Sequence, residues 1–550
     1  MKLETFFEKF DQFADAPDAV AKMRELVLNL AVQGRLVEED TADEDVELLL
    51  ARNDETRRAA ATSDRRADAE NQPLLSADDR WEIPKSWSWR ALADLVLFVD
   101  YRGKTPAKLS DGIRLLTAKN VRKGEINLSP EEFLSEEEYH AWMTRGFPKA
   151  GDVLFTTEAP MGNAAVVKLT DRFALAQRVI CFQSYGAIDS SFLVLQILST
   201  QFQLILDKNG TGVTAKGIKA SKLKQLPIAL PPLAEQRRIV AKVDELMALC
   251  DRLEAQQQER VTRHAALSRA SLARFADAPT PANLQFLFHP SYAIPPADLR
   301  KSILTLAVQG KLVPQDPNAE PAEECLSRLG LKSTVVPQGD DAEDDSLPPA
   351  WARVRFEDVA LVAGGVTLGR KLGDRKTVTL PYLRVANVKR GEIDLTLIKE
   401  VSIAEDEIER YALCENDLLM TEGGDWDKVG RAAIWRAEIP VCLHQNHVFR
   451  ARMRSTELTP FWFERYFNSP VGRGYFESAS KQTTNLASIN MRQVRSCPIP
   501  LPPLAEQHRI VAKVEQLMAL VDALEQQLAA SRATAEKLLA GIVAELTNKG

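Results

Sequence analysis

Between Ile239 and Leu253 the apolar positions fall at Ile239, Val243, Leu246, Cys250 and Leu253, a 4,3,4,3 spacing that predicts a helix with a coiled-coil seam. The spacing returns at Ile510, Val514, Leu517, Val521, Leu524 and Leu528, and continues through Ala535, Leu538 and Ile542 with its chief interruption at Ser531. A seam kept over several heptads seeks another helix; packing on its own domain is the competing reading. "LPP" precedes both stretches, and its prolines stop a strand and preset a helix entry. About 40 helical residues span roughly 60 Å, so a pair of such helices would make a rigid spacer.

A different pattern fills residues 81–229 and 347–500. Short β-branched and aromatic runs broken by Gly, Asn and Asp predict strands, whereas "SSFLVLQILSTQFQLILD" and "LTPFWFERYFNS" predict helices. The two blocks are weakly similar. "LLTAKNVRKGEINL" (Leu115–Leu128) parallels "YLRVANVKRGEIDL" (Tyr382–Leu395), "GDVLFTTE" (Gly151–Glu158) parallels "NDLLMTEG" (Asn416–Gly423), and "LAQRVI" (Leu175–Ile180) parallels "LHQNHV" (Leu443–Val448). The expected fold class is α+β: two mixed α/β domains separated by a long antiparallel two-helix coiled coil.

The helices belong to a larger duplication. Pro227–Glu254 matches Pro498–Glu525 at about 22 of 28 positions. "LAVQGRLV" (Leu30–Val37) pairs with "LAVQGKLV" (Leu306–Val313), and "FADAP" occurs at Phe13 and Phe275. Mid-chain the order is LPPLAEQ helix, FADAP, LAVQG; at the ends the LPPLAEQ helix closes the chain while FADAP and LAVQG open it. This is a circular arrangement cut once, and it predicts a pseudo-two-fold axis within one chain, with the C-terminal helix meeting the N-terminal segment. The segments are then 1–40 (helical), 41–80 (acidic linker), 81–229 (first domain), 230–313 (central helical region), 314–346 (acidic linker), 347–500 (second domain) and 501–550 (C-terminal helix).

The net charge of -7 is unevenly spread. Residues 38–82 carry about -9 and 316–346 about -7, which leaves about +9 on the rest. The folded parts are therefore basic, and the acidic stretches read as tethers. The N-terminus has Glu4, Glu8 and Asp11 where a signal peptide needs an apolar run, and no run of 18 apolar residues occurs, so the chain is expected in the cytoplasm. The six cysteines show no CxxC pair, against a zinc ribbon or a disulfide framework.

The doubled "LPPLAEQ-RIVAKV-LMAL-D-LE" and "LAVQG-LV" motifs, with divergent blocks opening near "WEIPKSWSW" and "LPPAWARV", resemble the specificity subunit of type I restriction-modification systems over essentially the whole length. The resemblance implies two target-recognition domains, antiparallel helices as a ruler, and a non-catalytic subunit that binds double-stranded DNA. It further implies assembly with two modification (methyltransferase) subunits and with restriction (endonuclease/translocase) subunits, and no membrane partner. S-adenosylmethionine would belong to the modification partner, ATP and Mg to the restriction partner, and no cofactor to this chain. Major-groove readers on one face of a duplex sit about one turn, roughly 34 Å, or a multiple apart. The target is accordingly expected to be bipartite, and asymmetric because the two blocks differ. A protein-interaction scaffold with duplicated blocks is the alternative.

Base readout needs Arg or Lys for guanine and Asn or Gln for adenine, while cations position phosphates. The candidates in the first block are Lys208, Lys216, Lys219, Lys222 and Lys224 around flexible glycines, Lys119, Asn120, Arg122 and Lys123, and Gln177 with Arg178. Tyr101, Arg102 and Lys104 in "DYRGKTPAK" resemble a recurrent loop of the family's recognition domains. In the second block they are Lys481, Gln482, Thr483, Asn485, Asn490 and Arg492, then Arg384, Asn387, Lys389 and Arg390, then Gln445, Asn446 and His447, with Arg370 and Lys371 in the divergent "AGGVTLGRK". A solvated charged face competes for the lysine groups, a turn-forming role for the matched asparagines, and structural hydrogen bonding for the amides. Enzyme signatures are weak. "GGVTLGRK" has Arg370 where a P-loop needs Lys, Asp425 and Asp427 sit in a Gly-rich turn, and His444 and His447 lack further ligands at zinc spacing.

Overall fold

The computed structural model describes residues 10–14, 16–61, 81–101, 106–212, 216–289, 291–332, 347–424, 428–483 and 486–547. They divide into two compact units, 1–259 with 532–550, and 260–531. The helical framework is built on α1 (Ala19–Val32), α2 (Leu233–Asp277), α3 (Pro296–Val308) and α4 (Leu504–Thr547).

In the first unit Met23, Val27 and Leu30 of α1 share one apolar core with Ile239, Val243, Leu246 and Cys250 of α2 and with Ala535, Leu539, Ile542 and Leu546 of α4. In the second unit Ile303, Leu306 and Ala307 of α3 share a core with Ile510, Val514, Leu517 and Val521 of α4 and with Leu272 and Phe275 of α2. Each unit thus joins the beginning of one long helix to the end of the other, as an antiparallel pair requires. Phe13 and Phe275, the two FADAP phenylalanines, occupy corresponding cores. One detail of the seam differs from the periodicity. Leu538 faces solvent at 36% exposure and Leu539 is buried instead, because an α-helix drifts about 20° per heptad against a strict 3.5 repeat and the polar stretch around Ser531 lets the register reset.

The described part of the first acidic stretch is no tether. Asp43 takes both guanidinium nitrogens of Arg238 at 2.8 and 2.6 Å. The helix Val46–Ala61 buries Val46, Leu49 and Leu50, and Asn53 Nδ2 donates to the Asp94 carbonyl at 2.8 Å. In the second stretch the short helix Ala322–Arg328 buries Ala322, Cys325 and Leu326. Net charge averages over a helix and conceals its one apolar face.

Each unit carries an equivalent α+β domain. The first is built on strands β1 (Val96–Asp100), β2 (Ile113–Leu116), β3 (Val153–Thr156), β4 (Ala164–Val166), β5 (Phe173–Leu175) and β6 (Val179–Ser184). One sheet has the order β1-β6-β3-β4, and a smaller sheet pairs β2 with β5 in parallel. The second domain repeats this with β7 (Ala360–Ala363), β8 (Thr377–Leu383), β9 (Leu418–Thr421), β10 (Ala432–Ile434), β11 (Leu443–His444) and β12 (Val448–Met453), in the orders β7-β12-β9-β10 and β8 parallel to β11. All four residues of β3 and of β9 are buried, as central strands covered on both faces must be.

The repeated motifs meet at one joint per unit. Ser88–Ala91 pairs antiparallel with Pro227–Leu230, and Ala352–Arg355 with Pro498–Leu501. The prolines that follow, Pro231 with Pro232 and Pro502 with Pro503, have no N–H to extend the ladder, and the long helices begin at the next residue. Trp87 Nε1 donates to Glu235 Oε1 at 3.0 Å and Trp351 Nε1 to Glu506 Oε2 at 3.0 Å. Burial raises both carboxyls above their ordinary range. Gln236 Nε2 donates to the carbonyls of Ala187 and Pro231, and Gln507 Nε2 to that of Pro502. Gly34 (φ +68°) and Gly310 (φ +69°) lie under Pro84 and Pro348, where a Cβ would come within 2.3 and 2.5 Å of a ring carbon. That left-handed turn and that contact leave room for glycine only. The LAVQG helices therefore bury their apolar faces inside their own units.

Candidate nucleic-acid interface

Three sequence-distant segments converge at one end of the first domain's main sheet. Thr157 N donates to the Arg178 carbonyl at 3.0 Å, and Ile218 N donates to the Thr157 carbonyl at 3.0 Å. Glu158 forms an antiparallel bridge with Gly217. A fourth segment joins through the turn between β3 and β4: Thr156 Oγ1 accepts from Asn163 N at 3.0 Å, and Asn163 Nδ2 donates to the Val121 carbonyl at 3.0 Å. Val121 opens a tight hairpin bridged to Ile126, whose tip carries Arg122 and Lys123. Gly124 N anchors the tip to the Ala164 carbonyl at 2.9 Å. Threonine, asparagine and glycine thus draw together "RKG", "TTE", "QR" and "GIK", which the sequence scatters over about 100 residues.

The second domain is pinned in the same way. Glu422 N donates to the His447 carbonyl at 3.0 Å, and Ile489 N to the Glu422 carbonyl at 2.9 Å. Gly423 and Gly424 pair with Ser488 and Ala487, and a Cβ on Gly423 would meet the Ala487 carbonyl at 2.5 Å. Thr421 Oγ1 accepts from Arg431 N at 3.0 Å. The hairpin bridged between Val388 and Ile393 carries Lys389 and Arg390, and Gly391 N donates to the Ala432 carbonyl at 2.9 Å.

Around these frames the predicted cations take distinct places. Lys119, Arg122, Lys123, Lys208, Lys219, Lys222, Lys371 and Arg492 are exposed. Arg178 pairs with Glu158 at 3.5 Å, its side chain half exposed. His447 Nδ1 lies 2.5 Å from Glu422 Oε2, also half exposed. Lys216 Nζ meets both Asp207 oxygens at 2.6 Å, Lys224 lies over the Phe98 ring at 5.6 Å, and Lys389 sits 3.7 Å from Asp394. Arg384 Nη2 donates to the Leu397 carbonyl at 3.3 Å. Gln177 and Arg390 are partly buried, as are Gln445, which bridges Val366 through its backbone, and Asn446, whose N–H donates to the Val366 carbonyl at 3.0 Å. Arg102, Lys104 and Asn485 lie outside the described residues, and for Lys481, Gln482 and Thr483 only the backbone is described, a strand paired with Leu486–Ser488.

Five predicted contacts are corrected to structural roles. Asn120 is fully buried; its Oδ1 accepts from Thr117 N and its Nδ2 donates to the carbonyls of Asn127 and Pro130. Asn387 repeats this with Arg384 N, Asp394 and Leu397. Both amides hold the hairpin base and have nothing left for DNA. Tyr101 is buried, its hydroxyl accepting from Arg145 N at 2.7 Å and donating to the Gly146 carbonyl at 2.5 Å. Arg370 forms a two-pronged pair with Glu407 at 3.1 and 2.9 Å beside Tyr411, which commits its guanidinium within the domain. Asn490 caps the helix Met491–Arg495, accepting from Gln493 N at 3.0 Å. Residue type alone could not separate these roles from base readout, since the same amide serves a turn or an adenine.

Glu158, Glu422 and Asn163 match no base-readout pattern in the sequence; the two carboxylates stand in the parallel "TTE" and "TEG" that end the central strands, one residue out of step. His444 is buried on β11, with Nδ1 2.7 Å from the Val448 carbonyl, and burial lowers its pKa to about 4. Among the described residues no cluster of three or more His, Cys, Asp or Glu has metal-binding geometry, and no helix is long and apolar enough to cross a membrane.

The sequence matches a family model, "Type I restriction modification DNA specificity domain", twice, over residues 144–263 and 348–531. It is 25% identical to the type I restriction enzyme EcoEI specificity subunit of Escherichia coli over 94% of this chain and 92% of that protein. It is 26% identical to the EcoAI specificity subunit of the same species, again over 94% and 92%. Among solved structures, the HsdS subunit from Thermoanaerobacter tengcongensis is similar at 20% identity with a TM-score of 0.42, covering 85% of this chain and 97% of that one.

Proposed function

The chain belongs to the type I restriction modification DNA specificity domain family, and from that premise we propose that it is the subunit which chooses the DNA sequence for a type I restriction-modification complex. It binds an asymmetric, bipartite duplex target, one half per domain, and brings to it two modification subunits, which methylate adenine, and the restriction subunits. The chain performs no chemistry: S-adenosylmethionine belongs to the modification subunits, ATP and magnesium to the restriction subunits, and the assembly works in the cytoplasm.

The observation that carries this reading is the pair of equivalent backbone frames, each pinned at Thr157–Arg178 or Glu422–His447 and each edged by exposed cations. Two copies of one frame with different side chains are what an asymmetric split target requires. Mapping methylated adenines in a host expressing this chain with its modification partner should return a split motif with an unread gap. Exchanging residues 81–229 for another recognition block should change one half of that motif. A contiguous motif, or a change in both halves, overturns the reading.

A further inference from the structure

Because one chain holds two copies of the same frame, the copies can be compared position by position, and the comparison sorts positioning from readout. At the hairpin tips the frames agree in backbone and in charge. Arg122 N bonds the Glu125 carbonyl at 2.9 Å and Lys389 N the Glu392 carbonyl at 2.9 Å, and the tips read Arg-Lys-Gly-Glu and Lys-Arg-Gly-Glu. Phosphates are the same in every sequence, so a contact to them has no reason to differ between half-sites. At the pin after the central strand the frames agree in backbone and differ in side chain. The same 3.0 Å hydrogen bond places Arg178 in one domain and His447 in the other. Each is half exposed, and each meets a carboxylate just past its central strand: Glu422 at the pin itself, where the first domain has Thr157, and Glu158 one residue further along.

We propose that Arg178 and His447 are specificity-determining residues, each reading one base pair of its own half-site, with Glu158 and Glu422 as the positioning residues that aim them. This rests on the reading of the chain as a DNA-specificity subunit. Arg178 presents a guanidinium fork, which matches the O6 and N7 acceptors of guanine. With Nδ1 of His447 held by Glu422, Nε2 is the nitrogen left for a base edge, so the second half-site differs at the equivalent step. The carboxylates also repel phosphate, which keeps either side chain from settling on the backbone in place of a base.

The test uses the full chain assembled with its modification subunits and a library of random duplexes, from which bound motifs are recovered. Wild type gives both halves of the motif. R178A should lose preference at a single guanine in one half, with selectivity at that pair falling about tenfold or more, while the other half, unchanged, reports a folded protein. H447A should relax one position in the opposite half. K123A should leave the motif intact, weaken every sequence alike and lower the salt slope by about one. The proposal is overturned if R178A keeps the guanine preference, if R178A weakens all sequences uniformly as K123A should, or if R178A or H447A removes both halves. A wild-type complex that recovers no motif at all would instead refute the functional reading on which the proposal stands.

Discussion

The joint and the reading rim are both duplicated, but they are duplicated differently. At the joint, backbone and side chains repeat together: Trp87 on Glu235 and Trp351 on Glu506, Gly34 under Pro84 and Gly310 under Pro348. Even the surface ion pairs repeat, Arg24 with Asp251 and Glu254 at 2.6 and 2.8 Å, and Arg300 with Asp522 and Glu525 at 2.6 and 2.7 Å. At the rim the hairpin tips repeat their charge, but at the pins only the backbone repeats. A joint answers to packing inside its own unit, and identical packing needs have one best solution. A rim answers to an outside partner, and two different half-sites need two solutions on one scaffold. Repetition of buried side chains therefore marks architecture, and repeated backbone with changed side chains is the mark of base readout that we propose.

The largest effect is expected at the joint. Trp87→Ala and Trp351→Ala each remove a buried indole and its hydrogen bond to a buried carboxyl, and should each cost about 3–5 kcal/mol. Thermal unfolding of the full chain would show it, and losses differing several-fold between the twins would break the equivalence of the joints.

The second expectation exploits an asymmetry. His444 is buried in the second domain, with a pKa near 4, and the strand pairing puts Leu175 at the equivalent position in the first. Between about pH 4 and 6.5 the unfolded chain binds a proton there that the folded one does not, so stability rises with pH across this window. About 3 kcal/mol is fully present above pH 6.5 and lost as the pH falls toward 4. Comparing H444A with the unaltered chain at pH 5 and pH 7.5 checks the sign; an unchanged pH dependence in H444A refutes it.

A smaller effect belongs to the rim. Lys389→Ala, like a substitution at the equivalent first-domain tip, should weaken DNA binding for all sequences and reduce the salt slope by about one, as measured by titration at several salt concentrations. A loss confined to one sequence would mean that the tip reads bases. Smallest of all, Arg24→Ala and Arg300→Ala remove ion pairs with exposed acids, and each should cost at most about 1 kcal/mol. Equal, small shifts in denaturant midpoint would sharpen the comparison.

Much of the architecture was legible because it is written as periodicity. The α+β class, the two long helices and the circular order of the motifs follow from spacing and repetition along the chain. The acidic stretch around Val46–Ala61 reads as a tether because its few apolar residues, Val46, Leu49 and Leu50, are outnumbered by charge, although they lie on one helical face. The site was legible as a set of segments and not as a set of roles. Asn120 and Gln177 look alike as residues, yet the first closes a hairpin base from within the core and the second lies partly buried beside Arg178.

The sequence by itself determined that this protein is a doubled object with two long apolar seams and two related domains, because helical period, proline placement and internal repetition are local properties. Only the tertiary structure decided which polar side chains face outward from the pinned strand ends and which are consumed in holding them. That division depends on whether an amide or guanidinium finds a backbone or carboxylate partner about 3 Å away, and such partners come from segments tens of residues distant.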